Sequence, residues 1–223
     1  LASPRRIKKV IVDELNEVAK KYGEPRRTSI VYSHEIETYV EEEAVEEYPV
    51  HVFLSREGYF KKITFQSLRG NDEQSFKEGD EQLYLVDGQN TDNLIFLTNR
   101  QQLYRAKADD FDTTKASALG DYLPVALKMD ADEKPVLMNI QNSYPEKDHL
   151  VMLFENGKGV RVPVSCYETK GNRRKLTSAF SKASPVVAAF YEKAPMEILL
   201  TASDGRAILI KSSLIPLMST RTS

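Results

Sequence analysis

The sequence has a single cysteine and lacks any apolar run of the roughly 18 residues that a membrane-spanning helix requires. One cysteine, Cys166, excludes an internal disulfide framework and is compatible with a reducing cytoplasm. The hydrophobic share of 41% and the charged share of 29% are typical of a soluble globular protein. We therefore expect a cytoplasmic protein without membrane contact, whose 223 residues form one large domain or two small ones.

Motifs of common catalytic and metal sites are also absent. The sequence contains no phosphate-binding P-loop and no dinucleotide-binding glycine motif. The histidines His34, His51 and His149 lack the spacing of a metal site or a catalytic triad. The acidic turns Asp109–Asp112 and Asp130–Glu133 lack the remaining ligands of an EF-hand. We expect no catalytic residue, no metal and no cofactor in this chain.

The net charge is negative in the first two thirds of the chain and positive in the last third, because acidic residues become scarce there. The formal net charge is −2, but residues 1–49 carry −3 and residues 50–150 carry −5. Residues 151–223 hold 11 Lys and Arg against 5 Asp and Glu, a net charge of +6. This asymmetry favours a surface that binds a polyanion.

The N-terminal segment is typical of an amphipathic helix of about five turns. Ser3 and Pro4 are a favourable N-cap and first helical residue, and Gly23 and Pro25 end the pattern. The apolar residues recur at three- and four-residue spacing: Ile7, Val10, Ile11, Leu15, Val18 and Tyr22. We expect this stripe to be buried in the chain or against a partner. Because the sequence starts at Leu1 without a methionine, we expect a fragment of a longer protein.

An acidic stretch separates this helix from the rest of the chain. Residues Glu35 to Glu47 include seven glutamates and no basic residue. They have no fixed ligand spacing for a metal, so a solvated helix or linker is the better interpretation. The sequence predicts a domain boundary here, with the helix and the acidic linker in residues 1–48 and a second domain in residues 49–223.

The second domain repeats a β-hairpin pattern. Short alternating strands flank turns at Gly58, Gln101, Gly157 and Gly205, which are 43, 56 and 48 residues apart. Apolar residues stand six positions before each turn, and further strand-like segments lie between the hairpins. One hairpin cannot bury its own face, whereas stacked four-stranded blades can. The repeat therefore predicts a mainly β, propeller-like architecture of about four blades.

A basic residue recurs four positions after three of the turns. These residues are Lys62, Arg105 and Arg161, and the fourth repeat has Leu209 instead. Cations are ordinary on the solvent face of a strand. Three in the same phase predict a row of positive charge along one rim, which would suit a polyanion that follows a curve.

Four stretches carry a resemblance to a known family: ELNEVAKKYGEPRRTSI (Glu14–Ile30), VHVFLSREGYFKKITFQSL (Val50–Leu68), LFENGKGVRVP (Leu153–Pro163) and LLTASDGRAI (Leu199–Ile208). The chain resembles the A subunit of the bacterial type IIA topoisomerases, which are DNA gyrase and topoisomerase IV. The resemblance implies that the helix is the last one of the breakage-reunion core. It also implies that a β-pinwheel, a propeller-like ring with swapped strands, follows and binds or wraps DNA on a basic outer rim.

The resemblance implies that this chain is a non-catalytic part of an ATP-dependent enzyme. The family cleaves DNA with a tyrosine in an Arg-Tyr-Thr context, and no Arg-Tyr dipeptide occurs here. ATP and Mg²⁺ would bind to the B subunit. The implied partners are the B subunit, double-stranded DNA and a second A subunit that dimerises through other regions, in the bacterial cytoplasm at the nucleoid.

Two departures from the family pattern bear on function. Gyrase has a glutamine-, arginine- and glycine-rich box after its first hairpin, but here this stretch is LRGNDEQSFKEGDE (Leu68–Glu81). Asn71, Asp72 and Glu73 lack the positive charge of that box, and the two acidic side chains would repel phosphate. This predicts a protein like topoisomerase IV rather than a supercoiling gyrase. Gyrase pinwheels usually have six blades, so about four blades predict an open or truncated ring.

The predicted DNA contacts are basic residues that would bind phosphates without reading bases. The densest cluster is KGNRRK (Lys170–Lys175), on a loop between hairpins. The full set of candidates is Lys61, Lys62, Arg69, Arg105, Lys107, Lys158, Arg161, Lys170, Arg173, Arg174, Lys175, Lys182 and Arg221. Two alternatives stay open: a β-propeller module that binds a protein, and a hydrolase that uses the central channel.

Overall fold

The computed structural model describes residues 3–24, 28, 46–69, 74–169 and 173–221. The chain forms two compact units, Leu1–Ala44 and Val45–Ser223. Most of the acidic stretch Glu35–Glu47, in which the sequence predicts a domain boundary, lies outside the described residues.

The first unit contains helix α1, Pro4–Tyr22, as the sequence pattern predicts. Pro4 stands in the first turn, where its missing N–H costs no intrahelical hydrogen bond. At the other end the Gly23 N–H donates to the Ala19 carbonyl over 2.8 Å, and two lysines complement the helix dipole. No residue of α1 is buried, and the side chains of its apolar stripe are exposed.

Within its described residues, the second unit consists of thirteen short strands and a few helical turns. The strands are β1 (Pro49–Ser55), β2 (Tyr59–Thr64), β3 (Gln82–Gln89), β4 (Asn93–Thr98), β5 (Leu103–Lys107), β6 (Asp121–Tyr122), β7 (Pro135–Ile140), β8 (His149–Phe154), β9 (Gly159–Pro163), β10 (Lys175–Leu176), β11 (Val186–Glu192), β12 (Glu197–Thr201) and β13 (Ala207–Lys211). The α-helical turns are α2 (Phe65–Leu68) and α3 (Leu123–Ala126), and the 3₁₀ turns are Ala108–Asp110, Val164–Tyr167 and Ser212–Leu214.

These strands form four antiparallel sheets, which we call blades 1 to 4. Blade 1 has the strand order β3-β1-β2-β6, and blade 2 has the order β7-β4-β5-β10. Blade 3 has the order β11-β8-β9, and blade 4 is the hairpin β12-β13. Each blade is built on one of the four predicted hairpins. The prediction of a mainly β, bladed architecture preceded by a helix is therefore confirmed.

Neighbouring blades exchange a strand. The outer strand of blade 1, β6, follows the hairpin of blade 2 in sequence, and the outer strand of blade 2, β10, follows the hairpin of blade 3. Beyond the hairpin of blade 4, Leu217 forms a parallel bridge to Arg161 on the outer edge of blade 3. Each described outer segment thus completes the preceding blade, which is the swapped-strand arrangement that the family resemblance implies.

The hairpin turns require backbone conformations that glycine favours. Gly58, Gly157 and Gly205 have φ angles of 93°, 76° and 84°, where side chains with a Cβ are strained. Gln101 takes the same role in blade 2 with φ of 54°. Its side-chain amide donates to the Ser184 carbonyl over 2.7 Å, which helps to hold this turn.

The blades stack face to face, and most of the core lies between them. The residue six positions before each turn faces the next blade: Val52 packs with the core of blade 2, Ile95 with that of blade 3, and Val151 with Ile198 of blade 4. All three are at most 1% exposed. In blade 4 the corresponding Leu199 is 64% exposed. Blades 1 to 3 therefore have no broad solvent-facing sheet surface on this side.

Candidate nucleic-acid interface

The repeated cations do not form a solvent-facing row. Lys62 lies opposite Val52 in the strand register, and a residue directly opposite shares the same face of the sheet. In the same way, Arg105 lies opposite Ile95, and Arg161 lies opposite Val151. That face packs on the next blade, so Lys62 is only 2% exposed. The expectation that this position lies on a solvent-facing rim is wrong, because the strand has no solvent face there.

Arg105 is held between blades 2 and 3. Its guanidinium donates to the Thr169 hydroxyl over 2.6 Å and lies 5.4 Å from the centre of the Tyr144 ring. Burial raises the pKa of the Tyr144 hydroxyl, which the nearby guanidinium opposes. The side chain is half-buried, so its stacking and hydrogen bond organise the junction between two blades.

Arg161 belongs to a polar junction between blades 3 and 4. Its Nε donates to the Ile215 carbonyl over 3.1 Å, and one terminal nitrogen lies 3.5 Å from the Glu192 carboxylate. Glu192 is 1% exposed and also contacts His149 Nδ1 at 3.4 Å and the Ser212 hydroxyl. Such a buried carboxylate needs these partners, because an unpaired buried charge is costly.

Lys61, the neighbour of the first repeated cation, is buried on the opposite face of β2. Its ammonium donates to the carbonyls of Ser75 and Ala116 over 2.6 and 3.2 Å, and it lies 4.9 Å from the centre of the Phe76 ring. Burial lowers the pKa of this ammonium below its ordinary value. Lys61 thus ties the second half of the stretch Leu68–Glu81 to blade 1, and its side chain is not at the surface.

Other candidate cations are exposed, mostly on loops and turns. Arg174 has an ion pair with Asp110 at 3.5 Å. Within the described parts of the chain, no ion pair involves the remaining exposed candidates, which are Arg69, Lys107, Lys158, Arg173 and Lys182. Lys170 and the box residues Gly70–Glu73 lie outside the described residues.

The structure brings several predicted cations together on the outer edge of blade 2. The Arg105 N–H donates to the Arg174 carbonyl over 2.8 Å, so β5 and the exchanged segment lie side by side. Lys175 follows, with its ammonium 3.0 Å from Asp130 and 5.2 Å from the centre of the Tyr104 ring. Hydrogen bonds to these two groups raise the pKa of Lys175. Basic and acidic groups therefore alternate along this edge.

Two further candidates are Arg221 and Arg69. Arg221 donates to the Ser178 carbonyl over 2.7 Å near the end of the described chain. Arg69 follows α2 on blade 1 and is exposed.

One exposed cation, Arg100, is not among the residues that the sequence pattern predicts. It stands in the turn of blade 2, directly before the positive-φ residue Gln101. The repeat pattern concerns cations that follow each turn, so it does not include a cation within a turn. The signal was present, because an arginine between Asn99 and Gln101 in a tight turn has no strand face on which to be buried.

Other kinds of site receive no support from the described residues. Among them no three His, Cys, Asp or Glu side chains are grouped so that they could hold a metal ion. No helix in the described ranges is long and apolar enough to cross a membrane.

Comparisons with known proteins agree on the relationship. No family model matches the sequence. The DNA gyrase A protein of Streptococcus pneumoniae serotype 4 is 28% identical over 231 residues, which cover 98% of this chain and 28% of the relative. The DNA gyrase A protein of Clostridium acetobutylicum is 27% identical over 218 residues, which cover 93% of this chain and 26% of that protein. The chain thus spans only about a quarter of the length of these relatives.

Solved structures show the same fold. The C-terminal domain of DNA topoisomerase IV superposes with a TM-score of 0.68 at 19% identity, covering 80% of this chain and 56% of that chain. The E. coli ParC C-terminal domain superposes with a TM-score of 0.55 at 17% identity, covering 78% and 69%. These matches confirm the resemblance: over nearly its whole length the chain is similar in sequence to DNA gyrase A subunits, and it has the β-pinwheel fold of the C-terminal domains of topoisomerase IV and ParC.

Proposed function

We propose that this chain is a DNA-binding or DNA-bending domain of a type IIA topoisomerase A subunit, and that it contacts phosphates without reading bases. The observation that carries the proposal is the strand-exchanged blade fold, shared with the C-terminal domain of topoisomerase IV. It is supported by the exposed cations Arg173 and Arg174, which precede the exchanged strand β10 on the outer edge of blade 2.

Binding through these residues is expected to be tolerant of sequence and sensitive to salt. Arginine and lysine contacts to phosphates release counterions, so affinity falls as salt rises. The second unit has no long helix within its described residues that would fit a major groove. Its contacts would come from loops and short edge strands, which follow the backbone of a duplex.

The box segment favours a topoisomerase-IV-like role over supercoiling. Relatives named gyrase and structures named topoisomerase IV both match, so the names do not decide between the two. In the stretch where a gyrase box would be basic, Asn71 is neutral and Asp72 and Glu73 are acidic. Phosphate would be repelled there, and we propose that DNA is bent by the blades without the chiral wrap that such a box supports.

The rest of the enzyme would supply the chemistry. We propose that the cleaving tyrosine lies in another part of the A subunit, and that ATP and Mg²⁺ bind to the B subunit. Two A subunits would dimerise through other regions, and the assembly would act on the bacterial nucleoid in the cytoplasm.

A titration of duplex DNA at several salt concentrations tests this proposal. Binding at about micromolar concentration that weakens with salt supports it. Charge reversal at Arg173 and Arg174 should weaken binding and lower the slope of log affinity against log salt by about 2. A matched control reverses the exposed cations Lys147 and Lys193, which lie at the strand ends away from the hairpin turns. Equal losses in both variants would contradict the assignment of the outer edge.

A second candidate function is a protein-binding blade module. It is favoured by the apolar face of blade 4, where Leu199 and Leu209 lie opposite each other and are 64% and 59% exposed. In blades 1 to 3 the same face packs on the next blade, however. The apolar residues on this face of blade 4 are therefore explained by the blade repeat and need no protein partner. This leaves the DNA-binding proposal as the better supported one.

A further inference from the structure

The hairpin turns of blades 1, 2 and 3 lie side by side and form one continuous edge, which we call the turn edge. The Asn99 N–H in the turn of blade 2 donates to the Lys134 carbonyl, and the Lys134 ammonium pairs with Glu57 in the turn of blade 1 at 3.2 Å. On the other side, Ser184 joins the turns of blades 2 and 3. Its carbonyl accepts from the Gln101 amide over 2.7 Å, and its hydroxyl accepts from the Asn156 N–H over 3.1 Å.

Charge is balanced at one end of the turn edge and unbalanced at the other. Around the turn of blade 1, Arg56 pairs with Glu81 at 2.6 Å and Lys134 pairs with Glu57. Around the turns of blades 2 and 3, the described residues offer no ion pair to the exposed cations Arg100, Lys158 and Lys182. Exposed cations that make no ion pair with the described residues therefore lie where blades 2 and 3 meet.

Acidic groups are also present at this end. Asp130 already accepts hydrogen bonds from Gln102 Nε2 at 2.6 Å and from Lys175 Nζ at 3.0 Å. These hydrogen bonds, the one from Gln102 first, lower the pKa of Asp130. Asp132 and Glu155 are the other exposed carboxylates of the adjoining loops. The charges of Lys175 and Lys182 lower the pKa of Asp130 further, so Asp130 and Lys182 interact electrostatically. Asp130 makes its hydrogen bonds to Gln102 and Lys175, however, and leaves Arg100 available to an external anion.

A cavity of about 370 Å³ opens between these cations. It is lined by residues 99–102 of the turn, by Asp130 and Ala131, and by residues 182–185. Gln102 is only 5% exposed, and its Oε1 atom is buried without a hydrogen-bond donor among the described residues. Buried acceptors without a donor are rare in folded proteins, so this atom marks a place where a donor from outside is expected.

The turn holds Arg100 in place beside the cavity. Gln101 fixes the backbone at a positive φ angle and anchors its amide to the carbonyls of Asn99 and Ser184. The Ala179 N–H donates to the Gln101 carbonyl over 2.8 Å, which joins the turn to the chain after β10. A cation on such a well-connected turn loses little backbone freedom when it binds an anion.

We propose that this cavity binds a phosphate group of the DNA backbone between Arg100 and Lys182, with a bridging water that donates to the buried oxygen of Gln102. Phosphodiester oxygens only accept hydrogen bonds, so the water is needed to satisfy both acceptors. Lys158, which is exposed on the turn of blade 3, would meet a further phosphate of the same strand. This inference rests on the proposed DNA-binding function and extends its contacts from the outer edge of blade 2 to the turn edge.

The test compares two neutralising double variants of the full chain. Arg100→Ala with Lys182→Ala removes both cations of the cavity, and Lys147→Ala with Lys193→Ala removes two exposed cations elsewhere. Duplex DNA is titrated at four or more salt concentrations. We expect the first pair to lower the slope of log affinity against log salt by about 2, and the second to leave it unchanged. Thermal unfolding of each variant checks that it is folded.

Gln102→Met tests the Gln102 side chain without removing a charge, although it removes both the buried oxygen and the amide that donates to Asp130. We expect affinity for DNA to fall several-fold while the salt slope stays at the wild-type value. Unchanged affinity would overturn the role assigned to Gln102 and its water.

The outcomes also separate this inference from the function on which it rests. If the wild-type chain binds DNA and the Arg173 and Arg174 variant weakens it, but the Arg100 and Lys182 variant does not, the cavity assignment fails alone. If the wild-type chain shows no salt-dependent binding to duplex DNA, the proposed function fails.

Discussion

The cations on the strands and the cations on the loops behave differently, although both looked equally suited to DNA in the sequence. Lys62, Arg105 and Arg161 recur in phase and are buried or half-buried between blades, with Arg105 and Arg161 bonded there to neighbouring groups. Arg100, within a turn, and Arg173, on a loop, are exposed. A repeated position in a stacked architecture meets the same surroundings in each repeat, and here those surroundings are the next blade. A cation that recurs on the paired strands is therefore structural, whereas a cation on a loop or turn is free to bind.

The largest effect is expected at the junction between blades 3 and 4. Glu192→Ala leaves Arg161 without its buried partner and should lower the free energy of unfolding by about 3–5 kcal/mol. Urea unfolding measures this loss. Glu155→Ala, at an exposed turn position, is the control and should change stability by no more than about 0.5 kcal/mol. Similar losses in both variants would mean that the strand cations are not held by this junction.

The variants Arg105→Ala and Arg174→Ala compare a cation on strand β5 with the neighbouring cation on the loop before β10. Loss of the hydrogen bond to Thr169 and of the stacking on Tyr144 should cost Arg105→Ala about 1–3 kcal/mol of stability. Arg174 is exposed, so its variant should stay within about 0.5 kcal/mol and show its effect on DNA affinity instead. Unfolding and DNA titration of both variants check this reversal. If Arg105→Ala lowers the affinity for DNA without lowering the free energy of unfolding, the distinction between structural strand cations and DNA-binding loop cations is wrong.

A smaller effect is expected in the pH dependence of stability at Lys61. Its folded-state pKa is lowered by burial, so in the unfolded chain the side chain holds its proton to a higher pH. Between the lowered pKa and the ordinary value of 10.5, the unfolded state binds more protons, and stability rises with pH through this window. Urea midpoints measured from pH 7 to 10 should show a rise in the wild type that Lys61→Met lacks. Parallel pH profiles would show that the ammonium is not desolvated in the fold.

The smallest effect is expected at Leu209, where the repeated cation is missing. Its side chain is 59% exposed on the face that in other blades is covered. Leu209→Arg therefore restores the repeat without a neighbouring blade to receive the side chain. We expect the free energy of unfolding to change by no more than about 0.5 kcal/mol. A stabilisation of more than about 1 kcal/mol in urea unfolding would show that the cation contributes within its own blade.

The sequence predicted the hairpins well because their turns carry local chemistry. Asn156-Gly157 and Asp204-Gly205 specify tight turns by themselves, whatever packs around them. Helix α1 was predicted for the same reason, from local periodicity and end signals. The exchanged strands came only from the family resemblance, because β6 and β10 are two residues long and have no pattern of their own.

The positions of the basic residues were the part that local patterns did not predict. Lys61 and Lys62 point to opposite faces of one strand, so a single sheet in water would expose one of them. Both are buried because blade 2 covers one face and the segment around Ser75 covers the other. That second covering depends on contacts far apart in sequence, such as the one between Lys61 and Ala116, which a hairpin pattern does not contain.

Strand exchange also has a mechanical consequence. Arg174 leads directly into β10, which pairs with blade 2 but continues in sequence from the hairpin of blade 3. A bent duplex that pulled on this point would load two blades. Blade 2 would carry the force through the hydrogen bonds of β10, and blade 3 would carry it through the covalent chain that leads into β10. Neither blade could be displaced without the other, so we expect the blades to resist together the force with which bent DNA tends to straighten.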